Sequence, residues 1–160
     1  MAVALSVLMG TITGVAAAAP GGVTGPANRA FIDMAATTAA QEHVTSLSEQ
    51  LFTFSHTDLK AHEVKFVQLT TGDFGREYGK LFNTIITQAR QTQLSLTSRV
   101  TGTAVRDLRG ETAEVIVFLE QTSTRADTGA QTVGNAVFRA TITRVGDAWK
   151  VAGLDLYGAR

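Results

Sequence analysis

The sequence predicts an α+β domain, with helices packed on one face of a curved antiparallel sheet, behind a hydrophobic N-terminal helix. Three observations predict it. Apolar residues recur every three or four positions in the first half of the chain and every second position after Gln91. Helices therefore come first and about four strands follow, an order typical of α+β folds. A stretch without charged side chains, from Met1 to Asn28, precedes them.

The composition is that of one folded domain. The chain has 160 residues, 44% of them hydrophobic and 18% charged, and its 14 basic residues balance its 14 acidic ones. A domain of about 135 residues can bury a substantial core. Because the charge is balanced and free of like-charge runs, no nucleic-acid partner is expected. The absence of cysteine excludes disulfides and thiolate metal sites.

The N-terminal segment covers residues 1–19, and residues 20–27 form a linker that contains both prolines. As a helix, residues 1–19 would span about 28 Å, close to the thickness of the hydrocarbon layer. This length favours a membrane anchor that contacts lipid. Cleavage as a signal peptide is the alternative, because Ala17-Ala18-Ala19 fits the small-residue cleavage pattern. A buried core helix or a disordered start is the third interpretation.

Both leading interpretations place the domain, residues 28–160, on the extracytoplasmic side of the cell membrane, either anchored or secreted after cleavage near Ala19. No lysine or arginine precedes the apolar run, and the first basic residue is Arg29. The positive-inside rule expects basic residues on the cytoplasmic side of an anchor. We therefore expect the true start of the protein to lie upstream of Met1.

Three helices are predicted within the domain. The first covers Asn28–Phe54, where apolar residues recur at helical spacing, and a short one covers Ala61–Leu69. The third runs to about Arg90 and is predicted to begin at Asp73, whose carboxylate can accept hydrogen bonds from the first turn.

Four strands are predicted, at Leu94–Arg106, Ala113–Thr122, Val133–Val145 and Trp149–Tyr157. Turns or loops are expected at Asp107–Glu111, Ser123–Thr132 and Gly146–Asp147. The run Val115–Leu119 is apolar on both faces, which predicts a central strand. In the third strand, the alternation predicts that Phe138, Ala140 and Ile142 share one face.

The residues predict neither catalysis nor a bound metal or cofactor. No metal-binding, nucleotide-binding or nucleophile motif is present. His43, His56 and His62 are expected to be surface or helix-capping residues. Glu114 and Glu120 share a face of the second strand, where a solvated face is preferred over an acid–base pair.

Aromatic residues are the most suggestive group. An apolar pocket between the helices and the sheet is one interpretation, and an ordinary hydrophobic core is the other. The predicted lining residues are Tyr78, Phe82, Phe118, Phe138 and Trp149, with Phe74 nearby in sequence.

Several motifs resemble those of the Mce-associated membrane proteins of actinobacteria, including mycobacteria. They are the Leu51-Phe52-Thr53-Phe54 helix end, the Thr71-Gly72-Asp73-Phe74 turn, the Val115–Thr122 strand and the ending from Arg139 to Val151, with its Gly146-Asp147-Ala148-Trp149-Lys150-Val151. The resemblance covers roughly residues 36–157. Two departures are the missing charged cytoplasmic tail and Ser55-His56, where members often carry an acidic residue.

The resemblance implies a cone-like fold of the nuclear transport factor 2 type. It also implies partners among the subunits of Mce complexes, which move lipids or sterols across the envelope, and an accessory, non-enzymatic role. The alternative function is a small protein that binds an apolar ligand such as a lipid in its cone, or an enzyme of the isomerase or cyclase type. Such an enzyme could use Tyr78, but the sequence identifies no acid to partner it.

Overall fold

The structure, a computed structural model, describes residues 27–157. Three helices come first and four strands follow. Their bounds are α1 Met34–Phe52, α2 Leu59–Leu69, α3 Gly72–Gln91, β1 Leu94–Arg109, β2 Thr112–Arg125, β3 Gln131–Val145 and β4 Ala148–Leu156. The strands form one antiparallel sheet in the order β1-β2-β3-β4. The α+β prediction with about four strands is confirmed, whereas the segment at residues 1–19 and linker residues 20–26 lie outside the described residues.

The core lies between the helices and one face of the sheet. In β2, Val115 and Val117 are fully buried, and in β3 the alternating residues Phe138, Ala140 and Ile142 are buried together, as predicted. The prediction that β2 is an inner strand is also confirmed. Because successive strand residues point to opposite faces, this single buried row places all three helices on one side of the sheet.

The sheet is curved because extra residues interrupt its pairing. Along β1, the register with β2 shifts between Val100 and Gly102 and again between Val105 and Asp107. A third shift lies between Thr141 and Ile142, opposite β4. An extra residue bends its strand and increases the local twist, so the sheet can wrap around the helices.

The outer edge of β1 is covered by polar side chains from the first part of the domain. Glu49 Oε1 accepts a hydrogen bond from the backbone N–H of Val100 at 2.9 Å, and Thr53 Oγ1 accepts one from Ser98 at 3.0 Å. Phe54 forms an isolated bridge with Leu96. An exposed strand edge can pair with other chains, and these groups occupy part of this edge.

The first predicted helix is too long at both ends. The observed helix, α1, begins at Met34. Its N-cap is Asp33, whose carboxylate accepts a hydrogen bond from the backbone N–H of Ala36 at 3.0 Å. The residues from Asn28 onward instead hydrogen-bond to β1, with Arg29 N donating to the carbonyl of Leu108 at 2.8 Å. The helix ends at Phe52 because Phe54 bridges to β1. Long-range pairing thus overrides the helical pattern.

The prediction that Asp73 caps α3 is wrong. The helix begins one residue earlier, at Gly72, and its N-cap is Thr71. The backbone N–H of Thr71 donates to the carbonyl of Val151 in β4 at 2.9 Å, which sets the start of the helix. Asp73 lies in the first turn and forms an ion pair with Arg76.

The strands are longer than predicted at their paired ends. The turn expected at Asp107–Glu111 is reduced to Gly110–Glu111, and the loop expected at Ser123–Thr132 is reduced to residues 126–130. Polar residues at these ends belong to the strands because each pairs with a residue of the neighbouring strand across the hairpin. The predicted Gly146–Asp147 turn is confirmed, and Gly146 adopts a positive φ of 62°.

Within residues 27–157, none of the helices combines the length and the apolar composition needed to cross a membrane.

Candidate functional site

The structure separates the five aromatic residues predicted to line a pocket. Tyr78, Phe82 and Phe138 are buried between the helices and the sheet. Trp149 is half-buried at the margin of this core, where it stacks on His43 at a centroid distance of 5.6 Å. Phe118 lies on the opposite face and is 44% exposed. Its inclusion was wrong, because both neighbours in β2 face the helices and strand side chains alternate.

Six rings form a continuous series through α2 and α3, which we call the aromatic ladder. Successive centroids along it are 5.0–5.7 Å apart. Such separations are typical of favourable aromatic pairs. In order, the ladder consists of Phe54, His62, Phe82, Phe66, Tyr78 and Phe74. Three of its rings, Phe66, Tyr78 and Phe82, pack in one core with the sheet, in the region where the sequence left a pocket as one of two interpretations.

His62 is the unexpected member of the ladder. It is 95% buried, so the expectation of a surface position was wrong for this histidine. Its Nε2 has no hydrogen-bond partner in the described part of the chain. Burial lowers the pKa of His62, a hydrogen bond with the backbone of Leu51 opposes this effect, and the charge of Lys65 adds to it. The net effect favours the neutral imidazole over the protonated one.

Tyr78 is the other titratable member of the ladder. Its ring stacks on Phe66 at 5.6 Å and on Phe74 at 5.1 Å. Burial raises the pKa of the Tyr78 phenol far above its ordinary value. Two rings, those of Phe82 and Phe66, come between His62 and Tyr78 along the ladder. The histidine and the phenol therefore do not face each other as an acid–base pair would.

The other two histidines have ordinary structural contacts. His56 is half-buried, and its Nδ1 lies 2.9 Å from Ser95 Oγ in β1. His43 is exposed on α1 and stacks on Trp149. Among residues 27–157, no three His, Asp or Glu side chains are grouped closely enough to hold a metal ion.

The outer face of the sheet carries an ion-pair network around Glu114. This carboxylate lies 3.6 Å from Arg106 and 3.9 Å from Arg139, and Arg139 also pairs with Asp155. Asp155 in turn raises the pKa of Arg139. Glu114 is therefore part of a partly solvated, charge-balanced face, which agrees with the interpretation preferred from the sequence.

A polar groove of about 520 Å³ lies along α1 and opens to solvent. This groove was not predicted from the sequence, although polar residues recur at helical spacing on the face of α1 opposite its buried residues. The lining residues are Thr38, Gln41, Glu42, Thr45, Ser46, Glu49, Gln50 and Thr103. Glu49 and Gln41 in this set also hydrogen-bond to the backbone of β1, so the groove walls help to hold the sheet edge.

Comparisons with known proteins establish the fold. No family model matches this chain, and no curated protein matches it. Among solved structures, an IcmL-like type IV secretion system protein from Legionella pneumophila is 10% identical, with a TM-score of 0.67 over 75% of this chain and 91% of the other. The periplasmic domain of DotI is 14% identical, with a TM-score of 0.65 over 79% and 98%.

A third structure supplies the name of the fold. A protein of the nuclear transport factor 2-like superfamily from Salmonella enterica is 14% identical, with a TM-score of 0.54 over 76% of this chain and 92% of the other. The described residues therefore form a nuclear transport factor 2-like domain, with its helices laid across a curved sheet. At identities this low, the likenesses establish the fold alone.

Proposed function

We propose that this protein is a non-enzymatic accessory component of a multi-protein complex in the cell envelope. The observation that carries the proposal is the core between the helices and the sheet, which is filled by buried side chains, among them the ladder rings of Phe66, Tyr78 and Phe82. An enzyme or carrier that works in such a fold needs space for its ligand beside its polar groups. Here buried side chains occupy that space, so the outer surfaces of the domain are left to perform its function.

The structural neighbours support an envelope location. One is described as a type IV secretion system protein and another as a periplasmic domain. The same fold is therefore found in a secretion-system protein and in a periplasmic domain. Together with the charge-free stretch before Arg29, this supports a domain on the extracytoplasmic side, held by residues 1–19 or released after cleavage near Ala19.

We further propose that the complex is of the Mce type and imports lipids or sterols. The support is the sequence resemblance over residues 36–157, in particular the Thr71–Phe74 turn and the Gly146–Val151 ending. The structure gives both motifs a role: Thr71 N donates to the carbonyl of Val151, so the turn and the ending hold α3 against β4.

Co-purification from native membranes tests this proposal. The full chain with a C-terminal tag is extracted in mild detergent, and the bound proteins are identified by mass spectrometry. The control joins residues 1–27 to an unrelated folded domain, which retains the hydrophobic segment and removes the ladder and the sheet. We expect Mce subunits with the full chain and not with the control.

The other outcomes are informative. Recovery of secretion-system components would refute the Mce assignment and retain the envelope role. Recovery of no envelope complex would refute the accessory role. N-terminal sequencing of the purified material distinguishes an anchor, which keeps residues 1–19, from a signal peptide cleaved near Ala19.

One observation favours the alternative, a protein that binds a small apolar ligand or acts on it. His62 Nε2 is buried and unpartnered within the described residues, as a group that awaits a polar ligand atom would be. Native mass spectrometry of the purified full chain tests it. A stoichiometric small molecule, lost in His62→Phe but kept in His43→Phe, would support the alternative and contradict the proposal of a filled domain.

A further inference from the structure

An exposed apolar surface lies where the described domain begins. Phe31, Ile32 and Met34 are 82%, 77% and 69% exposed, and we call these three residues the entry patch. Single exposed apolar residues are common, but three large ones within four positions are unusual for a surface in water. The fold offers them no core position, because Ala30 is the buried residue of this turn.

Hydrogen bonds hold the turn that carries the entry patch. Asn28 Oδ1 accepts from Leu108 N at 2.9 Å and from Ala30 N at 3.0 Å, and Asn28 Nδ2 donates to the carbonyl of Arg106 at 3.1 Å. Thr37 Oγ1 donates to the carbonyl of Ala30 at 2.8 Å. The entry patch is therefore exposed because these hydrogen bonds hold the backbone of its turn in a defined conformation against β1.

The same end of the sheet carries further apolar surface. Val145, at the end of β3, is 45% exposed. Its neighbour Arg144 donates through its backbone N–H to the carbonyl of Glu111 at 2.9 Å, so the β1–β2 and β3–β4 turns lie side by side. Arg29 binds the end of β1 through Leu108. Two hairpin turns and the entry patch thus form one end of the domain.

The chain outside the described residues leads directly to this end. Residues 1–28 contain no charged side chain, and the linker of residues 20–27 is eight residues long. Fully extended, such a linker reaches about 28 Å at most. If residues 1–19 are held in a membrane, the domain must stay close to it, and the entry patch, which begins at Phe31 just after the linker, lies within reach of the bilayer.

We propose that the entry patch rests in the interfacial layer of the lipid bilayer and orients the domain on the membrane. The inference rests on the extracytoplasmic, anchored placement proposed above. Aromatic and aliphatic side chains are favoured at this depth. The arginines at this end are already paired, Arg29 with Asp33, Arg109 with Asp107 and Arg144 with Asp147. Contact with lipid is therefore mainly apolar and needs no anionic headgroup.

Single-cysteine labelling tests the proposal, because the chain contains no cysteine. Ile32→Cys in the full chain is labelled with an environment-sensitive fluorophore and reconstituted into phosphatidylcholine vesicles. The matched control is Val133→Cys, a site of similar exposure, 61%, at the opposite end of the sheet. We expect blue-shifted emission at position 32, quenched more by shallow than by deep lipid-attached quenchers, because interfacial insertion reaches about 5–10 Å. Position 133 should show neither effect.

The alternatives give different results. Equal emission and quenching at both positions, in vesicles from which the protein cannot be extracted with carbonate, would overturn the proposal while leaving the anchor intact. A blue shift at position 32 that disappears when the protein is diluted in lipid would assign the patch to a second copy of the chain and also overturn it. A shift that requires anionic lipid would contradict the mainly apolar contact. These outcomes do not depend on whether Mce subunits co-purify.

Discussion

The imidazole of His62 lies 5.0 Å from the ring of Phe82, centroid to centroid, with the two planes 42° apart. This contact joins α2 to α3 and places a titratable group in the middle of an apolar layer. Because Nε2 is unpartnered among the described residues, a proton there would be poorly solvated. Protonation of His62 is consequently expected to destabilise the ladder.

The stability of the domain is expected to fall as the pH is lowered below 6.5. The pKa of His62 in the folded protein is depressed from its ordinary value of 6.5. On acidification His62 therefore takes up a proton at a higher pH in the unfolded chain than in the folded protein. The stability that the neutral His62 contributes above pH 6.5 is lost as the pH falls from 6.5 to the lower pKa of the folded state. Urea unfolding midpoints measured between about pH 7.5 and 5.5 check this.

In His62→Phe this part of the pH dependence should disappear, because phenylalanine fills the same position without a titratable nitrogen. His43→Phe, at an exposed site, should retain it. An identical slope in His62→Phe and the wild type would show that another group is responsible.

Ser98→Ala is expected to lower the free energy of unfolding by about 2 kcal/mol. Ser98 Oγ donates to the carbonyl of Phe52 at 2.7 Å and accepts from the buried amide of Gln121 at 3.1 Å. Its loss leaves both buried groups unsatisfied. Chemical denaturation measures the change, and Ser123→Ala, at a half-buried residue whose hydroxyl makes a long 3.3 Å hydrogen bond to the carbonyl of Thr132, should change it by less than about 0.5 kcal/mol.

The double variant Ser98→Ala/Gln121→Leu should regain part of the loss, because it also removes the orphaned amide. Additive losses in this double-mutant cycle would contradict the hydrogen bond between the two side chains.

Asn28→Ala is expected to lower the free energy of unfolding by about 1–2 kcal/mol, because its carboxamide makes three hydrogen bonds that fasten the first turn to β1. Asn28→Asp keeps the oxygen that accepts two of these hydrogen bonds and loses the Nδ2 donor, so a smaller decrease in the free energy of unfolding is expected. Asn83→Ala, at an exposed position in α3, is the control. Equal stability of Asn28→Ala and the control would show that the attachment of the turn contributes little.

Two glycines in α3 should respond to alanine with opposite signs. A Cβ at Gly75 would lie 2.9 Å from Thr70 Oγ1, which is itself held by a 2.9 Å hydrogen bond to the carbonyl of Phe66. Gly75→Ala should therefore destabilise by about 1–3 kcal/mol, a typical cost of overpacking. At Gly79 the nearest atom is 4.0 Å away, in the ring of Phe66.

Gly79→Ala should consequently stabilise the helix by about 0.5–1 kcal/mol. Thermal unfolding of the two variants is the measurement. In Gly75→Ala/Thr70→Ala the clash is gone, so the double variant should be more stable than Thr70→Ala alone. A stabilising Gly75→Ala would show that Thr70 moves aside without cost.

The ladder was only partly predictable. Tyr78 and Phe82 were expected in the interior because they fall on the apolar stripe of α3, whose spacing is a local property. Phe118 was misplaced because the run around it is apolar at every position, and such a run does not show which face is covered. His62 was misplaced because its burial depends on α3 packing against α2, which no spacing within α2 reveals.

The sequence by itself determined the order of the elements, the α+β class and the buried face of β3. These follow from the periodicity of side chains along one segment, which the backbone geometry converts directly into a face. The sequence also placed a long charge-free stretch ahead of the domain.

The tertiary structure decided that the residues before Asp33 do not extend α1, because Asn28 binds β1 some eighty residues away, and it decided where α3 begins, because Thr71 binds the backbone of β4. It also decided that buried side chains fill the space beneath the helices and that the entry patch lies exposed beside two hairpin turns. These features arise from contacts between segments that are distant in the chain. The free energy of these contacts outweighs the helix and strand propensities of the local sequence, and a local sequence pattern does not reveal it.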